Sequence, residues 1–532
     1  MRKIILVLIA IFTLISACSS PPSSNSQQET QVPVSEDPLV EDPAPTAEIP
    51  PSPEPTAVWP PVSGPQPSTR MAAFYYPWYF TPEFDGVWEH WEGFPPSDIS
   101  SDYYPALGPY SMSDPEVLAQ HFAWLRQAGV GLIISSWWGK YDSTDKALPL
   151  MLDIADHYGI KIAFHIEPYS GRSAANLMRD IRYIYQEYGS HPAFYWTTET
   201  SRYSPDNQPK GLFFLWATVV SDEDRVVAED YWKDALDTLH AEDPGAIVIT
   251  DQNDPAWVRG SHFDGSYKYG VLDADPTGYD FARTLPLDTW YIAGVNPGFS
   301  ARRIGGETWT DTPRRDGDTY NARWESMFEM GIEPEMVAVT TFNEWHEGTQ
   351  IEPAIPGMDR QMTTYPYLDY EPLEPEAYLD LTRDWSEVFL AYEWPESTTM
   401  RLHFRTTSDW TDLHLISGAS WQRPEWISVS EEANFADMSG GYLALGQPLD
   451  KAELGHSVEA ILEIQFREEE GDAPLVFMIE RGGLGASWVE LYRQSGEEWL
   501  LADSFWWAGQ GAGGRNAANF VVAHEAIFGE GP

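Results

Sequence analysis

The segment Met336-Val-Ala-Val-Thr-Thr-Phe342 runs directly into Asn343-Glu-Trp-His-Glu-Gly-Thr-Gln-Ile-Glu352. The first part is apolar and β-branched, a pattern that favours a buried strand. The second part holds three carboxylates, an imidazole and an indole within ten residues. Ionisable groups are costly beside a buried strand, so their presence indicates a functional edge. This junction predicts both the type of fold and the place where its chemistry lies.

Seven further apolar runs precede this one, and helical patterns lie between them. The eight predicted strands cover residues 71–76, 130–135, 161–166, 211–217, 246–250, 262–267, 290–295 and 336–342. Apolar strands that alternate with helices are typical of a parallel sheet, and eight such units predict a (β/α)₈ TIM barrel over residues 70–395. The alternative is an open doubly wound sheet, but no glycine-rich nucleotide loop follows the first strand.

Polar and aromatic residues collect where the predicted strands end. In (β/α)₈ barrels, functional residues lie at this edge. The candidates are Tyr76 and Tyr79 after strand one, Trp137 after strand two, His165 and Glu167 after strand three, Tyr267 and Tyr269 after strand six, and Asn343, Glu344, His346 and Glu347 after strand eight. Two carboxylates with aromatic surface are the equipment of a sugar-cleaving site. The pattern therefore predicts a wide cleft suited to a glycan.

Glu344 and Glu347 are the candidate catalytic pair. Residues three apart can share one face of a helical turn, so their carboxylates can converge. Close carboxylates raise one pKa, and an apolar neighbour such as Trp345 adds to that shift, which leaves one group protonated as an acid. The spacing leaves open which glutamate takes which role.

The pattern changes after about residue 395. Val458, Ala460 and Leu462 alternate with charged residues, which predicts a half-buried antiparallel strand. Similar runs recur and helical period is absent, so residues 396–532 are predicted to form an all-β domain of sandwich type. Four of its tryptophans either bind sugar or pack in the core, namely Trp421, Trp426, Trp506 and Trp507.

The first residues predict an export signal over 1–17, with Arg2 and Lys3 before a short apolar run. Small residues then precede Cys18, a pattern that resembles a bacterial lipobox with Cys18 as the lipid-attachment site. The alternatives are an ordinary signal peptide or a transmembrane anchor, although the run is shorter than the ~20 residues a spanning helix needs. Cys18 is the only cysteine, so no internal disulfide is possible. We expect a lipid-anchored bacterial surface protein.

Residues 18–69 are rich in Pro, Ser and Glu, and predict a disordered spacer between the lipid and the folded domains. The formal charge of −50 argues against nucleic acid or anionic lipid as partners. The expected contact with a membrane is therefore through the N-terminal lipid only. We expect a monomer with a neutral substrate.

Five motifs, taken in order, resemble glycoside hydrolase family 99. They are Phe74-Tyr-Tyr-Pro-Trp-Tyr79, His90-Trp91, Ser135-Ser-Trp-Trp-Gly139, His165-Ile-Glu-Pro-Tyr169 with Gly171-Arg172, and Asn343-Glu-Trp-His-Glu-Gly-Thr-Gln-Ile-Glu-Pro353. Each motif alone is weak, but the set is specific and covers residues 71 to about 385. The family contains endo-α-1,2-mannosidases and endo-α-1,2-mannanases, so the resemblance implies an endo-acting hydrolase of α-mannose-containing oligosaccharides or polysaccharides, without a cofactor or metal.

The resemblance also implies a retaining mechanism in which the substrate's own 2-hydroxyl attacks the anomeric carbon and forms a 1,2-anhydro sugar. Carried onto this sequence, it makes Glu344 the base toward that hydroxyl. Glu347 becomes the acid that protonates the departing oxygen and then the base that activates water. An α-mannoside fits this chemistry because its 2-hydroxyl and its leaving group lie on opposite faces.

Glu167 resembles the family's other site carboxylate, so we expect it to bind a sugar hydroxyl or to tune Glu344. The alternative for Glu167 is a buried ion pair with Arg172. We expect Trp137 to stack on a sugar; the alternative is a core position, with Trp138 exposed instead.

The remaining expected substrate contacts are Tyr76, Tyr79, Tyr267, Tyr269, His165, His346 and Asn343. Strand alternation sends one ring of each tyrosine pair to the core or barrel wall. The two histidines either bind sugar hydroxyls or brace the glutamates.

Two other functions compete with this interpretation. A metal-dependent hydrolase would use His90, His165, Glu167 and His346 as ligands. A non-catalytic surface lipoprotein that only binds glycans would use the same aromatic rim. A peptidase or lipase is poorly supported, because no Gly-x-Ser-x-Gly motif is present and Cys18 leaves no cysteine for a nucleophile.

Overall fold

The computed structural model describes residues 59–219, 225–270, 276–305, 311–356, 366–395, 397–438, 442–447, 456–468, 473–483, 485–495, 498–508 and 516–528. The predicted signal segment, Cys18 and the predicted spacer up to residue 58 lie outside these ranges. Within them, no helix combines the length and apolarity needed to cross a bilayer.

Eight parallel strands form the first domain. They are β1 (Ser68–Tyr75), β2 (Val130–Trp137), β3 (Lys161–Ile166), β4 (Lys210–Leu215), β5 (Ala246–Thr250), β6 (Gly265–Tyr267), β7 (Trp290–Val295) and β8 (Met336–Val339). Each strand pairs with its sequence neighbour, and β8 pairs with β1. The sheet is therefore a closed barrel, which confirms the predicted fold.

Helical segments connect the strands on the outside of the barrel. They are α1 (Pro115–Gln127), α2 (Ser143–Tyr158), α3 (Ala174–Tyr188), α4 (Arg225–His240), α5 (Pro255–Ser261), the 3₁₀ helix Pro276–Arg283, α6 (Asp318–Met330) and α7 (Ala377–Ala391). Asp114 caps α1 by accepting a hydrogen bond from the Glu116 amide at 2.8 Å, with Pro115 at the first helical position. Gly159 ends α2 with a φ of 71°, a conformation that favours glycine.

The barrel also carries short elements in its loops. They are the helices Pro82–Asp85, Arg302–Gly305 and Arg315–Gly317, and the two-residue strands Gly93–Phe94, Asp98–Ile99 and Trp196–Thr197. The barrel strands are almost wholly buried, as their continuous apolar sequence predicts.

The end of the predicted spacer is folded, which corrects the boundary at residue 69. Strand β1 begins at Ser68. Upstream of it, the ring of Trp59 packs edge-on against His157, 4.9 Å between centroids. Tyr158 donates a hydrogen bond to the Pro60 carbonyl at 2.7 Å. Trp59 and Pro60 therefore pack onto α2, and Arg126 at the end of α1 donates a hydrogen bond to Gln66 at 3.2 Å.

The second domain is a sandwich of two five-stranded antiparallel sheets. The first sheet has the order β11 (Ala419–Val429), β14 (Val458–Glu468), β9 (Ser397–Thr406), β16 (Ala486–Ser495) and β17 (Glu498–Ala508). The second has the order β12 (Phe435–Asp437), β13 (Tyr442–Gly446), β10 (Trp410–Ser417), β15 (Leu475–Gly482) and β18 (Asn516–Val522). A short helix, α8 (His524–Phe528), follows. The prediction of an all-β second domain is confirmed.

The sandwich contacts the amino-terminal end of the barrel strands. Arg202, which lies in the loop before β4, forms an ion pair of 2.6 Å with Glu425 of β11. Arg423 of β11 donates a hydrogen bond to the carbonyl of Thr289, the residue before β7, at 3.0 Å. The second domain therefore lies at the end of the barrel opposite the strand ends that carry the predicted site.

Candidate active site

The segment after β8 forms a closed turn at the carboxyl end of the barrel. Strand β8 ends at Val339, three residues earlier than predicted. The Thr341 amide then donates to the Thr349 carbonyl, and the Ile351 amide donates to the Thr341 carbonyl, both at 2.9 Å. The chain thus pairs with itself and places Glu344 to Glu347 at the tip of the turn.

Asn343 fixes this turn to the end of β1. Its side-chain oxygen accepts from the Tyr76 amide at 2.8 Å, and its side-chain nitrogen donates to the Tyr76 carbonyl at 2.9 Å. Asn343 is fully buried. The expectation that Asn343 contacts substrate is therefore corrected, because both ends of its amide are occupied by backbone.

Glu344 is buried, with 3% of its surface exposed. One carboxylate oxygen accepts two hydrogen bonds, from the His346 backbone amide and from His346 Nδ1, each at 3.0 Å. Hydrogen bonds to a charged carboxylate stabilise the charged form. Glu344 is thus held as an acceptor in a buried position.

His346 carries a positive charge beside Glu344. Its Nδ1 faces the carboxylate, and its Nε2 donates to the His90 carbonyl at 2.9 Å, so both ring nitrogens must carry protons. Burial lowers the pKa of His346, but hydrogen bonds to Glu344 and Glu92 outweigh burial and raise that pKa to about 10. Of the two predicted roles for His346, the structure supports bracing of the glutamate.

Glu347 is the protonated member of the pair. Burial and the nearby charge of Glu344 raise the pKa of the Glu347 carboxyl to about 8, although the His346 cation opposes them. Glu167 adds to the rise, and a hydrogen bond with Tyr269 opposes it. A carboxyl group with this pKa carries a proton at neutral pH. Glu347 therefore has the raised pKa that a general acid needs, next to a second carboxyl group.

Glu167 lies at the end of β3 and faces the same site. It accepts from Ser136 Oγ at 2.9 Å, and His165 Nδ1 lies 3.1 Å from the same carboxylate oxygen. Arg172 does not form the alternative ion pair. Its guanidinium donates instead to backbone carbonyls, including that of Ala217 at 2.7 Å. Glu167 is thus free to act on ligands or on the other carboxylates.

One ring of each tyrosine pair faces the carboxylates. The hydroxyls of Tyr76 and Tyr269 form a hydrogen bond with each other. Burial raises the pKa of both phenols well above the usual value, and Glu344 and Glu347 raise both further. These two hydroxyls therefore lie within the electrostatic influence of both carboxylates.

The other ring of each pair is buried, as strand alternation predicts. The Tyr79 hydroxyl accepts from the Trp345 amide at 3.0 Å. The Tyr267 hydroxyl lies 2.7 Å from His165 Nε2. Tyr79 and Tyr267 have no exposed surface, so the expectation of substrate contact is corrected for both. His165 likewise braces Glu167 and Tyr267, because both of its ring nitrogens face protein atoms.

Residues 92–391 match the sequence model of the family described as glycosyl hydrolase family 99. This match covers more than half of the chain. The chain belongs to glycosyl hydrolase family 99. It is therefore a glycoside hydrolase, and the match ends where α7 ends, so the sandwich lies outside it.

Relatives and solved structures agree with this assignment. The chain is 31% identical over 369 residues to glycoprotein endo-alpha-1,2-mannosidase of Mus musculus, a match that covers 60% of this chain and 74% of that protein. It is 31% identical to the protein of the same name from Xenopus laevis, over 61% of this chain and 78% of the relative. The GH99 endo-alpha-mannosidase from Bacteroides thetaiotaomicron has a similar structure, with a TM-score of 0.53 and 30% identity over 61% of this chain and 98% of that one.

Trp137 does not face the mouth of this family 99 barrel. It has no exposed surface, and its Nε1 donates to Asp145 Oδ1 at 2.9 Å. The expected stacking of Trp137 on a sugar is thus corrected in favour of the core position. Trp138 is half-buried, and its ring centroid lies 6.5 Å from that of Trp78. The aromatic surface at the mouth therefore includes Trp138 and Trp78.

Sequence reasoning missed the group that supports the turn from behind. Glu352 is fully buried and accepts from the Tyr110 hydroxyl at 2.7 Å and from Trp345 Nε1 at 2.9 Å. His121 Nε2 lies 3.2 Å from the other oxygen of the same carboxylate. Glu352 was visible as a third acid in the motif. Its partners were not, because His121 lies in α1 and Tyr110 in the loop before α1. No local sequence pattern connects either residue to the segment after β8.

Glu92 was missed for a similar reason. Its carboxylate lies 3.5 Å from His346 Nε2, next to the His90 carbonyl. Burial raises the pKa of Glu92, but the hydrogen bond and charge of His346 outweigh burial and lower that pKa to about 2. The adjacent His90-Trp91 motif was the one signal in the sequence that pointed to this loop.

The four histidine and glutamate ligands of the competing metal hypothesis do not share one centre. His165 is paired with Tyr267 and Glu167, whereas His346 is paired with Glu344 and the His90 carbonyl. Both ring nitrogens of His346 and Nε2 of His165 are therefore engaged with protein atoms.

Proposed function

We propose that this chain is a retaining endo-α-1,2-mannosidase that cleaves internal linkages of an α-mannose-containing glycan. The relatives named endo-alpha-1,2-mannosidase support this choice of linkage. The single observation that carries the chemistry is the position of Glu347 beside a second carboxyl, Glu344, where burial and that neighbour raise the pKa of Glu347 to about 8.

The first step uses both glutamates. Glu344 takes the proton of the 2-hydroxyl, whose oxygen attacks the anomeric carbon from the face opposite the leaving group. The bond to the departing sugar breaks, and Glu347 donates its proton to the departing oxygen. The product of this step is a 1,2-anhydro sugar. Glu344 suits the role of base because the His346 cation stabilises its carboxylate.

The second step reverses the proton transfers. Glu347, now a carboxylate, takes a proton from water, and the resulting hydroxide equivalent attacks the anomeric carbon. The carbon–oxygen bond of the three-membered ring breaks, and Glu344 returns a proton to the 2-oxygen. Two inversions at the anomeric carbon give net retention of its configuration. The two glutamates, the substrate and water account for every proton and bond in the reaction.

The surrounding groups would hold the sugar. The paired hydroxyls of Tyr76 and Tyr269 lie near both carboxylates and can exchange hydrogen bonds with sugar hydroxyls. We assign Glu167 to a sugar hydroxyl or to the tuning of Glu347, because its charge contributes to the raised pKa of Glu347.

The test compares leaving groups. Glu347→Gln should cut the rate on an α-1,2-linked mannan by about 10²-fold or more, since a general acid contributes that much. The same variant should lose far less on an aryl mannoside whose leaving group needs no proton. Glu344→Gln should lose activity on both substrates. Equal losses of the Glu347→Gln variant on both substrates would contradict the assigned roles, and the oligosaccharide released by the wild type identifies the linkage.

The localisation rests on the sequence pattern around Cys18. We propose that Cys18 carries a lipid and holds the enzyme at the outer face of a bacterial membrane. Labelling of growing cells with a traceable fatty acid should mark the wild-type protein and not Cys18→Ser. Equal labelling of both forms would contradict the proposal.

A further inference from the structure

The outer face of the first sheet of the sandwich carries a group of aromatic side chains that the enzyme activity does not use. Across the strands, Arg405 of β9 lies opposite Trp488 of β16, which lies opposite Trp506 of β17. A second row places Arg401 opposite Tyr492 in the same way. We call the set Trp488, Trp499, Trp506, Tyr492, Arg401 and Arg405 the aromatic face.

We propose that the aromatic face binds a neutral polysaccharide chain, separately from the cleft of the barrel. This goes beyond the proposed activity, because the sandwich is attached to the barrel end opposite the catalytic turn. Its role would be to hold a polymer near the enzyme while the cleft acts on one linkage.

Exposure distinguishes this face from the other tryptophans of the domain. Trp506 is 60% exposed, although a side chain of this size usually buries most of its surface. Trp421, Trp426 and Trp507 instead pack against the core of the sandwich. Of the four tryptophans that the sequence left undecided, Trp506 is therefore the one available to a ligand.

Two arginines fix the neighbouring rings. The Arg405 guanidinium lies 4.5 Å from the Trp488 ring centre, and that of Arg401 lies 4.3 Å from the Trp499 ring centre. Cation–π contacts of this kind restrain both partners. Rings that are held in place lose little freedom when a sugar stacks against the face, so less binding energy is spent on ordering them.

Most of the charged groups on this face already have a partner of the opposite kind. Arg401 Nε donates to Glu463 at 3.2 Å. His403 lies 3.1 Å from Glu459 and 3.3 Å from Glu490. A charged partner would have to compete with these pairs, whereas sugar hydroxyls can add to them as donors and acceptors. The charge pattern is therefore complementary to a neutral, hydroxylated ligand, in a chain whose formal charge of −50 repels polyanions.

The dimensions suit a short stretch of polymer. Four strands, β14, β9, β16 and β17, contribute outward side chains, which makes a surface roughly 14 Å wide at the usual strand spacing. Along the strands, the surface is about as long as it is wide, since it runs from Arg401 through His403 to Arg405. A flat surface of this size can contact several consecutive sugars without enclosing them.

The experiment measures binding of the full chain, in the Glu347→Gln background, to soluble α-mannan by retardation in a native gel that contains the polymer. A saturating short α-1,2-mannose oligosaccharide is added to occupy the cleft. Trp506→Ala should weaken mannan binding about tenfold, the effect expected for loss of an aromatic contact of ~1.4 kcal/mol. The matched control is Ile416→Ala, since Ile416 is 52% exposed on the other sheet of the sandwich; this change should have no effect.

The outcomes separate this proposal from the proposed function. Unchanged binding by Trp506→Ala, or complete release of mannan by the short oligosaccharide, would overturn the aromatic face as a binding site. A neutral α-glucan and an anionic polygalacturonate are run in parallel, and preference for the anionic polymer would also overturn it. Retention of wild-type activity on a short substrate by Trp506→Ala would support it. If the wild type cleaves no mannan but Trp506 still controls binding of a neutral polymer, the activity is wrong and the binding site stands.

Discussion

The mouth of the barrel and the aromatic face of the sandwich are built from the same residue types, yet they handle charge differently. On the aromatic face, Glu463 and Glu459 are accessible to water and lie against Arg401 and His403. At the mouth, Glu347 is half-buried beside the buried Glu344, and burial together with that second carboxyl raises the pKa of Glu347 to about 8. A partly buried carboxyl beside a second carboxyl gains a raised pKa, which suits it to donate a proton.

This contrast explains why only one of the two surfaces can cleave a glycosidic bond. A hydrolase of this type needs one protonated and one ionised carboxyl at the same pH. The barrel achieves this by enclosing both groups and by placing a single imidazolium on Glu344. The sandwich offers hydrogen-bonding groups and rings, which are sufficient to bind a sugar but not to break its linkage.

The strongest test of this difference between the two regions is to replace one carboxylate in each of them by its amide. Glu347→Gln should lower kcat/KM on an α-1,2-mannan by about 10²- to 10⁴-fold, because the proton donor is lost. Glu463→Gln, the matched change on the aromatic face, should leave kcat/KM for a short substrate unchanged. Initial rates with both variants provide the test. Similar losses in both would mean that the two regions do not differ in the way described.

The buried carboxylate behind the turn tests how much the enclosure depends on support. Glu352→Ala would leave Trp345 Nε1 and the Tyr110 hydroxyl without their shared acceptor. We expect a loss of about 1–3 kcal/mol in the free energy of unfolding of the barrel, since the Tyr110 hydroxyl loses its acceptor. Trp345 Nε1 keeps the Tyr110 hydroxyl as a second acceptor at 2.9 Å. Glu459→Ala on the sandwich is the control and should cost less than about 0.5 kcal/mol. Urea unfolding followed by tryptophan fluorescence measures both, and equal stability would show that Glu352 is not a support.

The pH profile of the enzyme sharpens the comparison. The acid role of Glu347 requires its proton, which is present below the raised pKa of about 8 and is lost as the pH rises through that value. kcat/KM should therefore fall about tenfold per unit above pH 8. Measurement of kcat/KM from pH 5 to 10 with a short substrate gives this alkaline decrease directly. A profile that stays flat to pH 9.5 would contradict the assignment of Glu347. The control variant Glu463→Gln should not change the pH at which kcat/KM begins to fall.

Smaller effects on stability and KM are expected at Trp137, the last residue of β2, and at Trp138, which follows it. Trp137→Phe removes the donor to Asp145 and should lower the free energy of unfolding by about 1–2 kcal/mol with little change in KM. Trp138→Phe keeps a ring at the mouth and should change stability by less than about 1 kcal/mol. Thermal unfolding and KM on one short substrate distinguish them. An increase in KM for Trp137→Phe without a loss of stability would restore the sugar-stacking role.

Much of the site could be predicted because strand ends in a parallel barrel meet at one edge. Once the eight apolar runs were counted, Glu167, Tyr269, Glu344 and Glu347 had to lie near one another. Two of the site predictions that failed, those for Trp137 and Asn343, share one cause. Both residues stand beside true site residues, and a sequence position does not determine whether a side chain turns toward the mouth or toward the interior.

The amino-acid sequence alone determined the alternation of strands and helices, the change to an all-β domain and the candidate pair of glutamates, because these depend on local periodicity and on which residue types follow each strand. Only the tertiary structure decided the raised pKa values of Glu347 and His346 and the support of the turn by Tyr110 and His121. It also decided that Trp506 is exposed while Trp507 is packed. These properties depend on burial and on distances between atoms from distant parts of the chain, which no local pattern specifies.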